Sequence, residues 1–226
     1  MRALPLYVLL LLSTACGGGG GGGIESTPAP QVPEPPTDQL ASNGWPVSHA
    51  PASYAGTGYA GGDQMPDLVG TDQAGNTDVS LTQFYGAMVV LSVHAPWDPL
   101  SAQGAMEMAA LRQALEDESS EYRVYHVTGL IGSDLHGSGQ SVADASDWAS
   151  HYGLVGPVLI GDPFANLPRQ FGVFSVPTYV ILDPLFQIRY VVGGWPGAMG
   201  LADEVRRAWT AFRAENPTWD SPFVVN

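Results

Sequence analysis

A layered α/β domain, its central sheet covered by helices on both faces, is what this 226-residue sequence predicts. Three observations carry the prediction. "AMVVLSVH" (87–94) is an unbroken apolar run, the pattern of a strand buried on both sides. "PTYVILD" (177–183) and "FQIRYVVGG" (186–194) are two further strand patterns joined by a turn around Pro184. Around and between them lie stretches with apolar residues at helical spacing, and such alternation implies sheet and helix layers.

In chain order, "MPDLVGTDQAGNTDVSLTQFYG" (65–86) mixes short apolar patches with turn residues and predicts a hairpin-like start. The strand at 87–94 follows. Residues 101–118 predict a helix with Met108, Leu111 and Leu115 on one face. "YRVYHV" (122–127) predicts a strand, and the Gly-rich "GLIGSDLHGSGQ" (129–140), which holds His136, a loop. Ala145, Trp148 and Tyr152 at i, i+3, i+7 predict a helix over 142–152. "GPVLIGDP" (156–163) predicts a short extended segment and 164–171 a short helix. After the two closing strands, Leu201, Val205, Trp209 and Phe212 place a final helix over 198–214. The tail 216–226 carries Trp219 and Phe223, which are expected to dock on the domain.

The N-terminal quarter has a different texture. "MRALPLYVLLLLSTAC" has Arg2, an apolar stretch from Leu6 to Leu12, then small residues, the pattern of a signal peptide too short to span a bilayer. "LLSTAC" resembles a bacterial lipoprotein signal, with Ala15 before the cysteine and Ser13 where leucine is usual. That resemblance implies cleavage after residue 15 and a lipid on Cys16, the chain's single cysteine. Gly17 to Gly23 and the Pro-rich segment after it bury too little surface to offset ordering entropy, so residues 16–54 are expected to be a disordered tether holding His49. A coil over 17–54 spans about 35 Å. The expected division is 1–15 signal, 16–54 lipidated cysteine and tether, 55–215 domain, and 216–226 tail.

Charge excludes several functions. There are 22 Asp and Glu against 8 Arg, no lysine, and a formal charge of −14. Nucleic acid is excluded as a partner because phosphate contacts need clustered cations, and an electrostatic grip on anionic lipid is excluded likewise. Without lysine there is no Schiff-base chemistry and no P-loop phosphate site. No G-x-S-x-G elbow is present to support a serine hydrolase.

The order of elements and four stretches resemble the thioredoxin-like redoxins. These include the alkyl hydroperoxide reductase/thiol-specific antioxidant family and the membrane-tethered thiol–disulfide reductases of bacterial envelopes. The stretches are the opening "MPDLVGTDQAGNTDVSLTQFYG", the strand into the redox helix "VVLSVHAPW", "VLIGDPFANLPRQFGVFSVPTYVILDP", and the closing "FQIRYVVGGW". The resemblance spans about residues 60–214 and implies a thioredoxin-like α/β/α sandwich with a central mixed sheet. In the third stretch, Val176-Pro177-Thr178 is similar to the family's cis-proline loop. The family's two redox cysteines fall on Asp98 and Ser101, which carry oxygen instead of sulfur.

That departure sets the functional expectation. Disulfide exchange needs a thiolate and a mixed disulfide, and peroxide reduction needs a sulfur that becomes sulfenic acid. No catalytic residue and no cofactor are therefore expected. Asp98 is expected to cap the following helix, with Pro99 at the first helical position. The resemblance implies that the residue before the proline, Val176, offers backbone groups to an extended chain, with Trp97 as an apolar wall beside it. Trp97, Val176 and Pro177 are the candidate peptide-binding residues. No metal is expected, although His94, Asp98 and His126 form a candidate ligand set. The expectation is an envelope lipoprotein whose thioredoxin-like domain binds a peptide or protein, reaches the membrane through its lipid, and leans to the outer membrane or periplasm. The alternatives are a thioredoxin/peroxiredoxin-type oxidoreductase, as the resemblance implies, and a metal-dependent site at His94 and Asp98.

Overall fold

The computed structural model describes residues 39–116, 121–132 and 139–223. The signal segment, Cys16 and His136 lie outside them. The apolar run at 87–94 forms the central strand of the main sheet and is the third strand in chain order. A short hairpin comes first: β1 (Val69–Gly70) pairs antiparallel with β2 (Val79–Ser80). A single 3-10 turn, Leu81–Phe84, follows, capped by the Ser80 side chain.

β3 (Met88–His94) is buried along its whole length. It lies at the centre of a five-stranded sheet of order β5-β4-β3-β6-β7. β4 (Val124–Leu130) runs parallel to it, with Met88 opposite Val124 and His94 opposite Leu130. β5 (Val158–Leu159) is parallel to β4, whereas β6 (Thr178–Leu182) and β7 (Ile188–Gly193) continue antiparallel on the other side. Parallel neighbours require crossovers. α1 (Pro99–Met106) and α2 (Met108–Glu116) connect β3 to β4, and α3 (Val142–Tyr152) lies between β4 and β5. α4 (Asp162–Ala165) and α5 (Leu167–Gln170) precede β6, and α6 (Ala198–Glu215) closes the domain.

Alternation along β3 explains why it reads as uniformly apolar. Val89, Leu91 and Val93 point to one face, where they meet Phe84, Phe164 and Phe186. Met88 and Val90 point to the other, against Leu111 of α2 and Leu201 and Val205 of α6. Each such fully buried side chain contributes about 1.5–3 kcal/mol of transfer free energy.

Several boundaries differ from expectation, each for a local reason. The helix expected over 101–118 starts at Pro99, since Asp98 caps it, and it breaks at Glu107 into α1 and α2. The helix expected over 164–171 is two short ones, because Pro163 and Pro168 each sit at a helix start. Pro168 inside one continuous helix would lose a donor and clash with the preceding turn. The strand expected to end at residue 127 runs on to Leu130.

The tether boundary at residue 54 moves as well. Residues 40–54 are built into the domain by single side chains: Trp45 Nε1 donates to Asp72 Oδ2 at 2.8 Å, and Gln83 Nε2 donates to the Pro46 carbonyl at 2.9 Å. Tyr54 Oη donates to the Met65 carbonyl. Isolated anchors of this kind have no period to read. In the tail, Phe223 is buried with its ring 5.5 Å from that of Tyr125, and Trp219 packs edge-on against Phe212.

Candidate functional site

The site lies where β3 hands over to α1. Asp98 has extended backbone (φ −96°, ψ 122°), and its Oδ2 accepts the Ser101 N–H at 2.6 Å. Pro99, at the first helical position, has no donor to leave unsatisfied. The expected cap is thus formed, and a carboxylate stands at the positive end of the helix dipole.

Ser101 is fully buried (0% exposed). Its Oγ accepts the Ala95 N–H at 3.1 Å, and its carbonyl lies 3.1 Å from His94 Nδ1. A carbonyl only accepts, so Nδ1 carries the proton and donates. His94 is buried with its ring 5.9 Å from that of Trp148 and 5.6 Å, edge-on, from that of Tyr179. Burial lowers its pKa to about 4, outweighing the opposite pull of the Ser101 carbonyl and the Asp98 charge. His94 is therefore neutral at pH 7 and holds the Ser101 backbone. It does not activate the hydroxyl.

The metal candidates do not converge. His126 stands opposite Val90 in the β3–β4 register, while His94 stands opposite Leu130. Four residues along neighbouring strands separate them by about 13 Å. The Asp98 carboxylate is directed to the helix N–H and the His94 Nδ1 to a carbonyl. Among the described residues no group of three His, Cys, Asp or Glu side chains could hold a metal ion.

The proline loop does meet the helix start. The Val176–Pro177 peptide bond is cis, and the Pro177 carbonyl accepts the Gly194 N–H at 2.7 Å. Val176 and Trp97 line one cleft of about 470 Å³ together with Ile131, Arg169 and Phe174. Trp97 is 42% exposed and Phe174 86%. Pro177 is buried behind them. Among the described residues, the backbone N–H and C=O of Val176 have no hydrogen-bond partner. Sequence reasoning missed Phe174, Ile131 and Arg169. The segment 173–177 forms no strand, so the alternation of strand residues gave no signal for Phe174. Arg169 had none.

No protein-family model matches the sequence, and no curated protein is similar to it. Solved structures are. The Chlorobium tepidum thiol:disulfide interchange protein DsbE is 21% identical, with 66% of this chain and 96% of that one covered and a TM-score of 0.52. A DsbF homologue from Corynebacterium diphtheriae is 20% identical over 71% of this chain and 98% of its own, also with a TM-score of 0.52. The thioredoxin domain of a thiol-disulfide oxidoreductase from Bacteroides vulgatus is 15% identical over 66% and 96%, with a TM-score of 0.50. The fold is thioredoxin-like, a mixed five-stranded sheet between helices, as the sequence resemblance implies. Among the described residues no helix is long and apolar enough to cross a membrane.

Proposed function

We propose that this chain is a peptide- or protein-binding module on a thioredoxin-like scaffold, without thiol chemistry, held at a bacterial cell envelope by a lipid on Cys16. The observation that carries the reading is the fate of the two redox positions. The Asp98 carboxylate caps α1, and the Ser101 hydroxyl is sealed from solvent and accepts a backbone N–H. Neither group can form a mixed disulfide or a sulfenic acid, and the single cysteine of the chain precedes the Gly run. What remains at the mouth of the scaffold is a cleft with an exposed indole and an unpaired stretch of backbone at Val176. Those features suit strand addition, in which main-chain hydrogen bonds hold an extended peptide and pockets select its side chains. The envelope part rests on "LLSTAC" and the Gly- and Pro-rich sequence after it.

A second reading, an oxidoreductase, is favoured by the names of the similar structures, a thiol:disulfide interchange protein and a thiol-disulfide oxidoreductase among them. Dithiothreitol-coupled insulin reduction and hydrogen peroxide consumption separate the two. The alkylated wild-type chain should turn over neither substrate above the buffer rate. The Asp98→Cys, Ser101→Cys double variant serves as the positive control, since it supplies sulfur at both positions for a thiolate and its resolving partner. Turnover by the alkylated wild-type chain would establish the second reading.

A further inference from the structure

The cleft between Trp97 and Val176 differs from the rest of the molecule in charge. The chain carries 22 Asp and Glu and 8 Arg. None of the residues lining this cleft is acidic, and one, Arg169, is cationic. Two other clefts do hold acid: one on α3 is lined by Asp144 and Asp147, and one beside α6 by Glu121 and Asp220 with Arg213. A third, of about 20 Å³, is lined by Arg112 and His126 without acid, but it is too small for a side chain and its arginine is engaged.

Arg169 is also set apart by what it lacks. Arg189 is paired with Asp183 and Glu215, Arg206 with Asp203, and Arg207 with Glu204. Arg213 lies over the Trp209 ring and donates to the Trp219 carbonyl. Arg112 and Arg123 are engaged too. Among the described residues Arg169 is the one arginine whose side chain has no ion pair, hydrogen bond or ring contact. It sits in the last turn of α5, exposed, with Asn166, whose side chain makes no cap hydrogen bond, three residues before it.

We propose that the cleft selects an acidic extended peptide, one with an apolar side chain between Trp97 and Phe174 and a carboxylate on Arg169. The inference rests on the binding-module reading and names its ligand class. Arg offers a planar fork of donors that fits a carboxylate bidentately. The acidic residues elsewhere on the surface do not cancel this, because at physiological salt a charge beyond about 8 Å is largely screened while a contact pair is not. Phosphate-bearing polymers are disfavoured, since one free cation neutralises one charge and binding to such polymers grows with the number of contacts.

The test uses the full chain and fluorescein-labelled peptides of Thr and Val around one Phe, with Glu, Gln or Arg placed two residues to either side of it. That spacing sets all three side chains on one face of an extended peptide. Fluorescence polarisation at physiological ionic strength, about 0.15 M, should give the Glu peptide about fivefold tighter binding than the Gln peptide, the scale of an exposed ion pair. Arg169→Gln should abolish the difference and Arg169→Glu should turn the preference to the Arg peptide. Trp97→Ala should weaken all three. Equal binding of the Glu and Gln peptides, lost in Trp97→Ala, would overturn the acidic selection and leave the binding module standing. Failure of every peptide to bind would overturn both.

Discussion

Acidification should unfold this protein partly through His94, and replacing that one side chain should remove its share. The folded pKa of about 4 lies well below the ordinary 6.5 because burial disfavours the charged ring. The unfolded chain therefore binds the proton more readily. Stability from this group is complete above about pH 6.5 and is lost as the pH falls toward 4. At pH 4.5 the unfolded imidazole is almost fully protonated and the native one mostly neutral, which amounts to about 2–3 kcal/mol. His126, also lowered to about 4 by burial and by Arg112, adds a loss of the same sign. Asp72 and Asp144, both lowered, lose stability in acid as well, whereas Asp183, raised by burial despite Arg189, acts in the opposite sense. A comparison of wild type with His94→Gln isolates one group from these. Glutamine keeps a donor for the Ser101 carbonyl and does not titrate. Urea unfolding followed by tryptophan fluorescence at pH 7.5, 6, 5 and 4.5 should show the variant less stable at neutral pH but losing about 2–3 kcal/mol less than wild type across that range. Parallel curves, within about 0.5 kcal/mol of each other, would mean that burial does not hold His94 neutral.

Two substitutions probe the same junction at neutral pH. Asp98→Ala should cost about 1 kcal/mol by urea unfolding through loss of the cap, while Asp98→Asn, which still accepts the Ser101 N–H, should cost little. Gly104→Ala should destabilise by about 1–3 kcal/mol, because a Cβ there runs into the buried Tyr179 hydroxyl and approaches Trp195. Helix propensity alone predicts a gain of about 1 kcal/mol for that change, so a higher urea midpoint would show that Tyr179 yields.

The fold was legible because its strongest signals are local. β3 is apolar at every position except Ser92 and His94, as a strand covered on both faces must be, and α3 carries its apolar face between a Ser141 cap and a left-handed Gly153. The attachment of residues 40–54 was not legible, since it depends on Trp45 and Gln83 finding partners far away in sequence. Half of the cleft was equally hidden: nothing in "LPRQFGVF" says that Arg169 will have no carboxylate beside it. Asp98 and Ser101, which the resemblance sets at the family's redox cysteines, lie between these cases. An aspartate at a helix start supplies the anion that the dipole favours, as a thiolate at the same place would. The pattern of the scaffold is therefore kept whichever group stands there. Its recognisability is consequently a poor guide to chemistry, because what preserves the helix start is an acceptor for the first free N–H groups, and only disulfide exchange requires sulfur.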